Sequence, residues 1–421
     1  MRKMSLKSIL SMPAIMCLAF LLYPQETLIE TSLVLNIEVP VRVFNGGKFV
    51  DNLKIKDFEL WEDGIKQKIE AVYLIKKDTI HRKEEKKPLK PQTGRTFFLF
   101  FEVTDYLPRL GEAVEYFCEN VLLDNDSLIA VTPLKTYRLK ERGLQLKTRT
   151  EIANELRGLI KKDAVIGSSD YREAVKEMEN LAKMLGAALA KDPDDPSQKL
   201  GATDSLMGKE GWIENVGIEG IINMYRAYLQ KLDTMRKVDE LRFLDFAKYL
   251  KEMDGQKHVF LFYQREFIPQ VEPRLIMQNL SAFQDTAGDI SHVMAEITDL
   301  YKRDVPIDTD RVKQAFADSS SAVHFLFITK PRPNVPGVYY AEQSNDIFAP
   351  FMDMAKATGG IADSSANAKA LFQNALDATE NYYLLYYTPK NYKPDETFKR
   401  IDVKVNGKKY RISHRAGYFA N

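Results

Sequence analysis

The sequence of 421 residues contains only two cysteines and five histidines. Two cysteines exclude a disulfide framework and a cysteine-based zinc cluster. The histidines, at positions 81, 258, 292, 324 and 414, never lie within four residues of one another, which excludes a local pair of histidine metal ligands. A basic excess is also missing, because 60 Lys and Arg oppose 59 Asp and Glu. This balance argues against nucleic acid as a partner.

Short motifs that carry enzyme chemistry are missing as well. The sequence has no GxGxxG, no GxxxxGK[ST], no HExxH, no CxxC and no GxSxG. Each of these motifs places a phosphate cradle, a metal site or a nucleophile in a defined local structure. Their absence favours a protein that is not an enzyme and uses no cofactor, although it does not exclude an enzyme.

The N-terminus has the pattern of an export signal. Arg2, Lys3 and Lys7 precede the uncharged and mostly apolar run 9–23. This run is shorter than the roughly 20 residues that a membrane span needs, and its position fits a signal peptide. We expect residues 1–25 to be a signal peptide or an anchor, and the remainder to be extracytoplasmic, periplasmic or secreted. Cleavage stays open, and only an uncleaved anchor would attach the chain to a membrane.

Both ends of the remaining chain have strand patterns. Apolar residues alternate with polar ones in 33–43 and again in 401–412, and Asn406-Gly407 is typical of a hairpin turn. We therefore predict a small β-domain formed by residues 28–76, joined by 394–421. The alternative is that each terminal hairpin packs separately. Residues 77–95 are rich in charge and are predicted to be a linker.

The centre, residues 96–390, alternates apolar strand-like runs with amphipathic helix-like segments. This alternation predicts an α/β fold with a mostly parallel sheet and helices on both faces. A helical insertion with a mobile loop near 191–211 interrupts it. The predicted strands are 96–103, 127–133, 135–139, 258–263, 322–328 and 382–387, and the predicted helices are 110–122, 151–161, 171–190, 218–232, 238–253, 289–303, 347–355 and 366–378.

Cys118 lies on the apolar face of the first of these helices. Val114, Phe117, Val121 and Leu122 share that face at helical spacing. The pattern predicts a buried, inert thiol rather than a nucleophile.

The turn after the first central strand is the candidate site. Sites in open parallel sheets form beyond the carboxyl ends of the strands. Glu102 and Thr104 offer a carboxylate and a hydroxyl there, and such oxygen ligands suit a hard cation. The alternative is that Thr104 or Asp105 caps the next helix.

Several motifs together resemble the exported proteins called acidobacterial von Willebrand factor A-related. The similarity runs from about residue 33 to 420, and its motifs are individually weak but fairly specific in this order. They are Val50-Asp51-Asn52-Leu53, Asp57-Phe58-Glu59-Leu60-Trp61-Glu62-Asp63-Gly64, Gly255-Gln256-Lys257-His258-Val259-Phe260-Leu261-Phe262, Ala357-Thr358-Gly359-Gly360, Tyr382-Tyr383-Leu384-Leu385-Tyr386-Tyr387-Thr388-Pro389 and Arg415-Ala416-Gly417-Tyr418-Phe419. The resemblance implies a von Willebrand factor A-like fold and a binding function rather than catalysis.

The metal-ion-dependent adhesion site of that family is altered in this chain. The resemblance implies Asp, Ser and Ser at the first turn, where this chain has Glu102, Thr104 and Tyr106. The Thr of the second loop corresponds loosely to Ser169, and Arg265 stands near the expected Asp of the fourth strand, where its charge could replace a metal.

These departures imply an exported protein–protein interaction module with a degenerate metal site. Its protein partner is unidentified. The alternative is a metal-dependent adhesion module that retains an altered site, in which case Mg²⁺ or Mn²⁺ would bind.

Overall fold

A computed structural model describes residues 35–86, 88–139, 141–190, 210–236, 238–274, 307–407 and 409–421. Asn36–Asn421 forms one compact unit. The predicted signal segment 1–25, the predicted helix 289–303 and the predicted loop 191–211 up to residue 209 lie outside the described residues.

The described residues form eighteen strands and nine α-helices. The strands are β1 (Ile37–Asn45), β2 (Lys48–Phe49), β3 (Phe58–Glu62), β4 (Ile65–Gln67), β5 (Ile69–Lys76), β6 (Thr79–Glu85), β7 (Arg95–Glu102), β8 (Ser127–Val131), β9 (Thr136–Leu139), β10 (Gln256–Gln264), β11 (Phe267–Val271), β12 (Ala322–Ile328), β13 (Val338–Glu342), β14 (Ala362–Ser365), β15 (Asn381–Tyr387), β16 (Phe398–Val405), β17 (Arg411–His414) and β18 (Gly417–Phe419). The helices are α1 (Pro108–Tyr116), α2 (Glu141–Leu146), α3 (Arg149–Gly167), α4 (Ser169–Ala190), α5 (Glu210–Arg236), α6 (Glu240–Glu252), α7 (Thr309–Asp318), α8 (Asn345–Ala357) and α9 (Ala368–Thr379). None of the helices in these ranges is long and apolar enough to cross a membrane.

A mixed sheet carries the candidate site. Its strand order is β14-β12-β10-β7-β8-β9. Neighbours from β14 to β8 run parallel, whereas β9 runs antiparallel to β8. The continuous apolar run of β7 is explained by two hydrophobic cores. Phe97, Leu99 and Phe101 pack with residues of α1, α3 and α9, and Phe98 packs with residues of α6, α7 and α8.

Strands from the two chain ends pair with each other in antiparallel sheets. One sheet has the order β17-β1-β15-β5-β6, with β2 added to β1, and another has the order β18-β16-β3-β4. β1 pairs with β17, and β3 pairs with β16. Residues 79–85 of the segment predicted to be a linker form β6, which pairs with β5 at the edge of its sheet. Charged side chains on an edge strand discourage pairing with other chains.

The predicted fold class, an α/β fold on a mostly parallel sheet and of von Willebrand factor A type, is wrong. Antiparallel sheets of six, four and two strands hold most of the strands, and the remaining six-stranded sheet is mixed. The antiparallel part curls into a half-barrel. The segment 382–387 misled the prediction, because its apolar run was attributed to the parallel sheet. It forms β15, which lies between β1 and β5 and is antiparallel to both. An apolar run indicates burial on both faces but does not identify the sheet.

Candidate functional site

The turn that follows β7 is held by the side chain of Gln264, the last residue of β10. The amide oxygen of Gln264 accepts hydrogen bonds from the backbone N–H of Thr104 at 3.0 Å, the Thr104 hydroxyl at 2.9 Å and the backbone N–H of Asp105 at 2.9 Å. Its amide nitrogen donates to the Asp105 carbonyl at 3.3 Å. Gln264 is 3% exposed. Because β7 and β10 are parallel neighbours, their carboxyl ends meet, and this buried amide locks one to the other.

A lysine supplies the positive charge at this turn. Lys330 follows β12, on the other side of β10. Its Nζ lies 2.8 Å from a carboxylate oxygen of Asp105 and 3.4 Å from the Thr104 hydroxyl. The Lys330 side chain is 19% exposed and that of Asp105 45% exposed. The Asp105 and Thr104 oxygens that could bind a metal ion therefore already contact the ammonium group of Lys330.

The second loop contacts the turn through Ser168 rather than the predicted Ser169. The Ser168 hydroxyl donates to the Thr104 carbonyl at 2.8 Å, and Arg172 donates to the same carbonyl at 3.0 Å. Ser168 is buried because it stands between α3 and α4. Ser169 is exposed and its hydroxyl contacts Asp170 at 3.4 Å. The family resemblance therefore pointed to the residue next to the one that contacts the turn.

The side chains of the other predicted site residues make different contacts. Glu102 ends β7 with an exposed side chain. Tyr106 packs against the core, and its hydroxyl lies over Gly111, where an added Cβ would collide with it. The Arg265 guanidinium lies 5.2 Å from the centre of the Phe327 ring, and its Nε is 3.9 Å from the Glu342 carboxylate. Arg265 therefore faces Glu342, and Lys330 is the cation that contacts the turn.

The structure also differs from the alternative in which Thr104 or Asp105 caps α1. Leu107 is the N-cap residue of α1, and its side chain makes no capping hydrogen bond. Pro108 at the first turn removes one backbone N–H that would otherwise need a partner. Thr104 and Asp105 thus use their polar atoms on Gln264 and Lys330 rather than on the helix.

The residues at this turn do not fit the magnesium or manganese site that the family resemblance implied. Mg²⁺ needs near-octahedral oxygen ligands, and the Lys330 ammonium contacts both Thr104 and Asp105. Across the described ranges, no group of three or more His, Cys, Asp or Glu residues is arranged to hold a metal ion.

Exposed apolar side chains lie beside the polar turn. Leu134, Val165 and Ile166, which we call the apolar rim, are 43%, 48% and 49% exposed. Arg172 links the backbone of Val165 to the turn, because it donates to the carbonyls of both Thr104 and Val165. Leu134 packs against Gly167, where an added Cβ would lie 3.2 Å from its Cγ. Sequence periodicity did not reveal this surface, because it depends on how α3 and the loop after β8 meet.

Cys118 is fully buried in the π-helical turn Phe117–Val121 that continues α1. Burial raises the pKa of its thiol to about 12. A thiol with a raised pKa is a poor nucleophile, because the thiolate is the reactive form.

No protein-family model and no curated protein matches the chain. Among solved structures, the chain is weakly similar to the human COPII-coat protein Sec24c, with 8% sequence identity and a TM-score of 0.28. The match covers 78% of this chain and 44% of the other, so the chain spans less than half the length of Sec24c. A likeness this weak carries no argument about fold or function.

Proposed function

We propose that the chain is an exported protein-interaction module that binds its partner without a divalent cation. The observation that carries the proposal is the contact of Lys330 Nζ with the Asp105 carboxylate at 2.8 Å. In this interpretation an internal ammonium provides the charge that a metal ion would otherwise provide. The turn is then a rigid polar surface rather than a metal centre.

The apolar rim is the surface that we assign to the partner. Exposed apolar residues next to polar groups are typical of protein-binding surfaces. Leu134, Val165 and Ile166 lie beside a turn that Gln264, Ser168 and Arg172 hold in place. A surface held rigid in this way loses little conformational freedom on binding, which favours affinity.

Export is part of the proposal and rests on the N-terminal sequence. The charged residues Arg2, Lys3 and Lys7 and the apolar run 9–23 support it. No family model matches the chain, and the binding proposal does not depend on membership of the acidobacterial von Willebrand factor A-related family.

Site-directed photo-cross-linking in the native envelope tests the binding surface. A photoreactive amino acid at Ile166 is compared with the same group at Ile65, which is also 49% exposed but lies in β4 of an antiparallel sheet. We expect a discrete cross-linked protein from position 166 and none from position 65, with equal yield in EDTA and in magnesium. Loss of the product in EDTA would support metal-dependent adhesion instead. Equal cross-linking from both positions, or none from position 166, would contradict the proposed surface.

A further inference from the structure

A small cavity lies between the antiparallel sheet of the chain ends and the mixed sheet, and three cations line it. Arg42 lies in β1, Lys257 is the second residue of β10, and Arg415 directly follows β17. Their exposed fractions are 5%, 6% and 7%. Buried charges are costly unless they are paired, so the partners of these three side chains decide what the cavity is for.

The chain offers these cations few hydrogen-bond acceptors, although Arg42 and Arg415 lie 5.7 Å and 5.9 Å from the ring centres of Tyr382 and Tyr418. Arg42 donates to the Gly359 carbonyl at a long 3.4 Å, and Lys257 donates to the Met253 carbonyl at 3.0 Å. The Nε atoms of Arg42 and Arg415 are buried without a hydrogen-bond partner. Among the described residues, none of the three forms an ion pair with a carboxylate.

The acidic groups that act on Lys257 and Arg415 are Glu38, Asp254 and Asp318. Glu38 of β1 lines the cavity, but its side chain is exposed and accepts a hydrogen bond from the Tyr386 hydroxyl at 2.7 Å. Asp318 pairs with Lys251 at 2.7 Å and also accepts from the backbone N–H of Phe419. Positive charge therefore exceeds negative charge inside the cavity.

Burial is the main cause of the lowered pKa values of two of these cations. Burial lowers the pKa of Arg42 to about 10. Burial, together with the nearby charge of Arg415, lowers the pKa of Lys257 to about 8. A bound anion would favour the charged forms and would supply the missing acceptors.

The cavity also has hydroxyl donors and a defined size. Ser320 and Ser321 line it, on the turn between α7 and β12. Its volume is about 40 Å³, and one water needs about 10–15 Å³. This space suits a group of a few heavy atoms and is too small for a nucleotide.

We propose that this cavity binds a small oxyanion of the phosphate or sulfate class, either free or as the terminal group of a small molecule. The guanidinium groups of Arg42 and Arg415 and the Lys257 ammonium would donate to its oxygens, as charged donors do at phosphate sites. Bound there, the anion would connect β1 of one sheet to β10 of the other.

A second cavity, which Arg42 also lines, is positively charged. Lys356, Arg400 and Arg411 line it, and its described lining contains no Asp or Glu. A positively charged surface of this kind attracts anions before they bind. Arg42 lines both cavities.

Thermal unfolding with inorganic phosphate and sulfate tests the proposal. Chloride at equal ionic strength is the reference, and Arg242→Gln is the control, because Arg242 is 87% exposed and lies on α6. We expect phosphate and sulfate to raise the midpoint of the wild type and of the control by several degrees. Lys257→Met and Arg415→Met should each lose that shift, and calorimetry should give at least ten-fold weaker phosphate binding. Two variants are used so that one remains informative if the other does not fold.

The result in chloride separates loss of the site from loss of the fold. Each variant removes a poorly paired buried charge, so we expect it to be at least as stable as the wild type without phosphate. Absence of a phosphate or sulfate shift in the wild type, or an equal shift in both variants, would overturn the proposal. Tighter binding of glycerol phosphate than of inorganic phosphate would identify a carried phosphate group, and weaker binding a free anion.

This inference is independent of the proposed partner surface. Lys257 and Gln264 are seven residues apart on β10, which corresponds to about 23 Å at the rise of a strand. Failure of phosphate to bind would leave the cross-linking result from Ile166 unaffected, and the reverse also holds.

Discussion

The ammonium of Lys330 lies 2.8 Å from the carboxylate of Asp105, although 225 positions separate the two residues in the sequence. Asp105 follows β7 and Lys330 follows β12, and β10 lies between these strands. The contact therefore spans the middle strand at the carboxyl edge of the mixed sheet. Gln264 of β10 completes it by holding the backbone on which Asp105 stands.

This contact predicts that divalent cations leave the folded protein unaffected. A ligand that binds only the native state raises the unfolding midpoint by mass action. We expect millimolar magnesium or manganese to leave the midpoint of the wild type unchanged, because Lys330 contacts the oxygens that a metal would need. Calorimetry that detects magnesium binding in the wild type, abolished by Asp105→Asn, would contradict this expectation.

Removing the lysine should have a modest effect on stability. Lys330→Met leaves Asp105 without its cation, but Asp105 is about half exposed and remains solvated. We expect a loss of at most about 1 kcal/mol in urea unfolding, as for other exposed ion pairs. Lys313→Met, which removes the exposed pair with Asp310, is the matched control. A loss of several kcal/mol specific to Lys330 would mean that the pair behaves as a buried one.

Gln264 should matter more to stability than Lys330. Gln264→Ala leaves the backbone N–H groups of Thr104 and Asp105 without their acceptor. Losing the partner of a buried donor costs about 1–3 kcal/mol. Gln264→Met keeps most of the side-chain volume but also lacks the acceptor, so it should still lose stability in chemical denaturation. A Gln264→Met variant as stable as the wild type would show that the hydrogen bonds to the turn are not the reason for the effect.

Long apolar runs made the strands of the mixed sheet predictable. The runs predicted at 96–103, 258–263 and 322–328 correspond closely to β7, β10 and β12. Which strands pair with one another was harder to predict, because β15 has the same kind of apolar run but joins an antiparallel sheet. The choice depends on contacts between residues more than 300 positions apart, to which local periodicity is insensitive.

The sequence located the turn of the candidate site but did not identify all of the residues that contact it. The rule that sites lie beyond strand carboxyl ends led to the turn of Thr104. Lys330 was missed because a lysine after a strand resembles any solvated lysine until the strand order is known. Ser169 was named rather than Ser168 because the family resemblance placed the second-loop residue only within Gly167-Ser168-Ser169-Asp170.

Because Cys118 is buried, we predict that its thiol reacts slowly in the folded protein. In a Cys17→Ala background, a thiol reagent should label the native protein slowly and the denatured protein rapidly, because Cys118 is fully buried and its thiol pKa is raised to about 12. Cys118→Ser should cost roughly 1–3 kcal/mol by burying a hydroxyl, whereas Cys118→Ala, which buries no polar group, should cost less. Rapid labelling of the native protein would show that the helix opens or that the thiol is accessible.

Because the pKa of Lys257 is lowered in the folded protein, we predict that the free energy of unfolding rises with pH when no oxyanion is bound. Burial lowers the pKa of Lys257 to about 8 in the folded protein from its ordinary value of 10.5. Between these values the unfolded chain binds a proton that the folded chain has released, so stability increases as the pH rises. From pH 7.5 to 9.5 this gain is about 2 kcal/mol, at 1.36 kcal/mol per pKa unit.

Urea unfolding in chloride at several pH values, with wild type and Lys257→Met compared at each, measures this gain. The difference between the two proteins isolates Lys257 from the tyrosines, whose raised pKa values lower stability at higher pH. We expect the wild type to gain about 2 kcal/mol relative to the variant over this range. Saturating phosphate should reduce the gain, because an anion beside the ammonium favours its charged form. A constant difference between wild type and variant in chloride would mean that Lys257 keeps an ordinary pKa, and that the cavity is more hydrated than its 6% exposed lysine indicates.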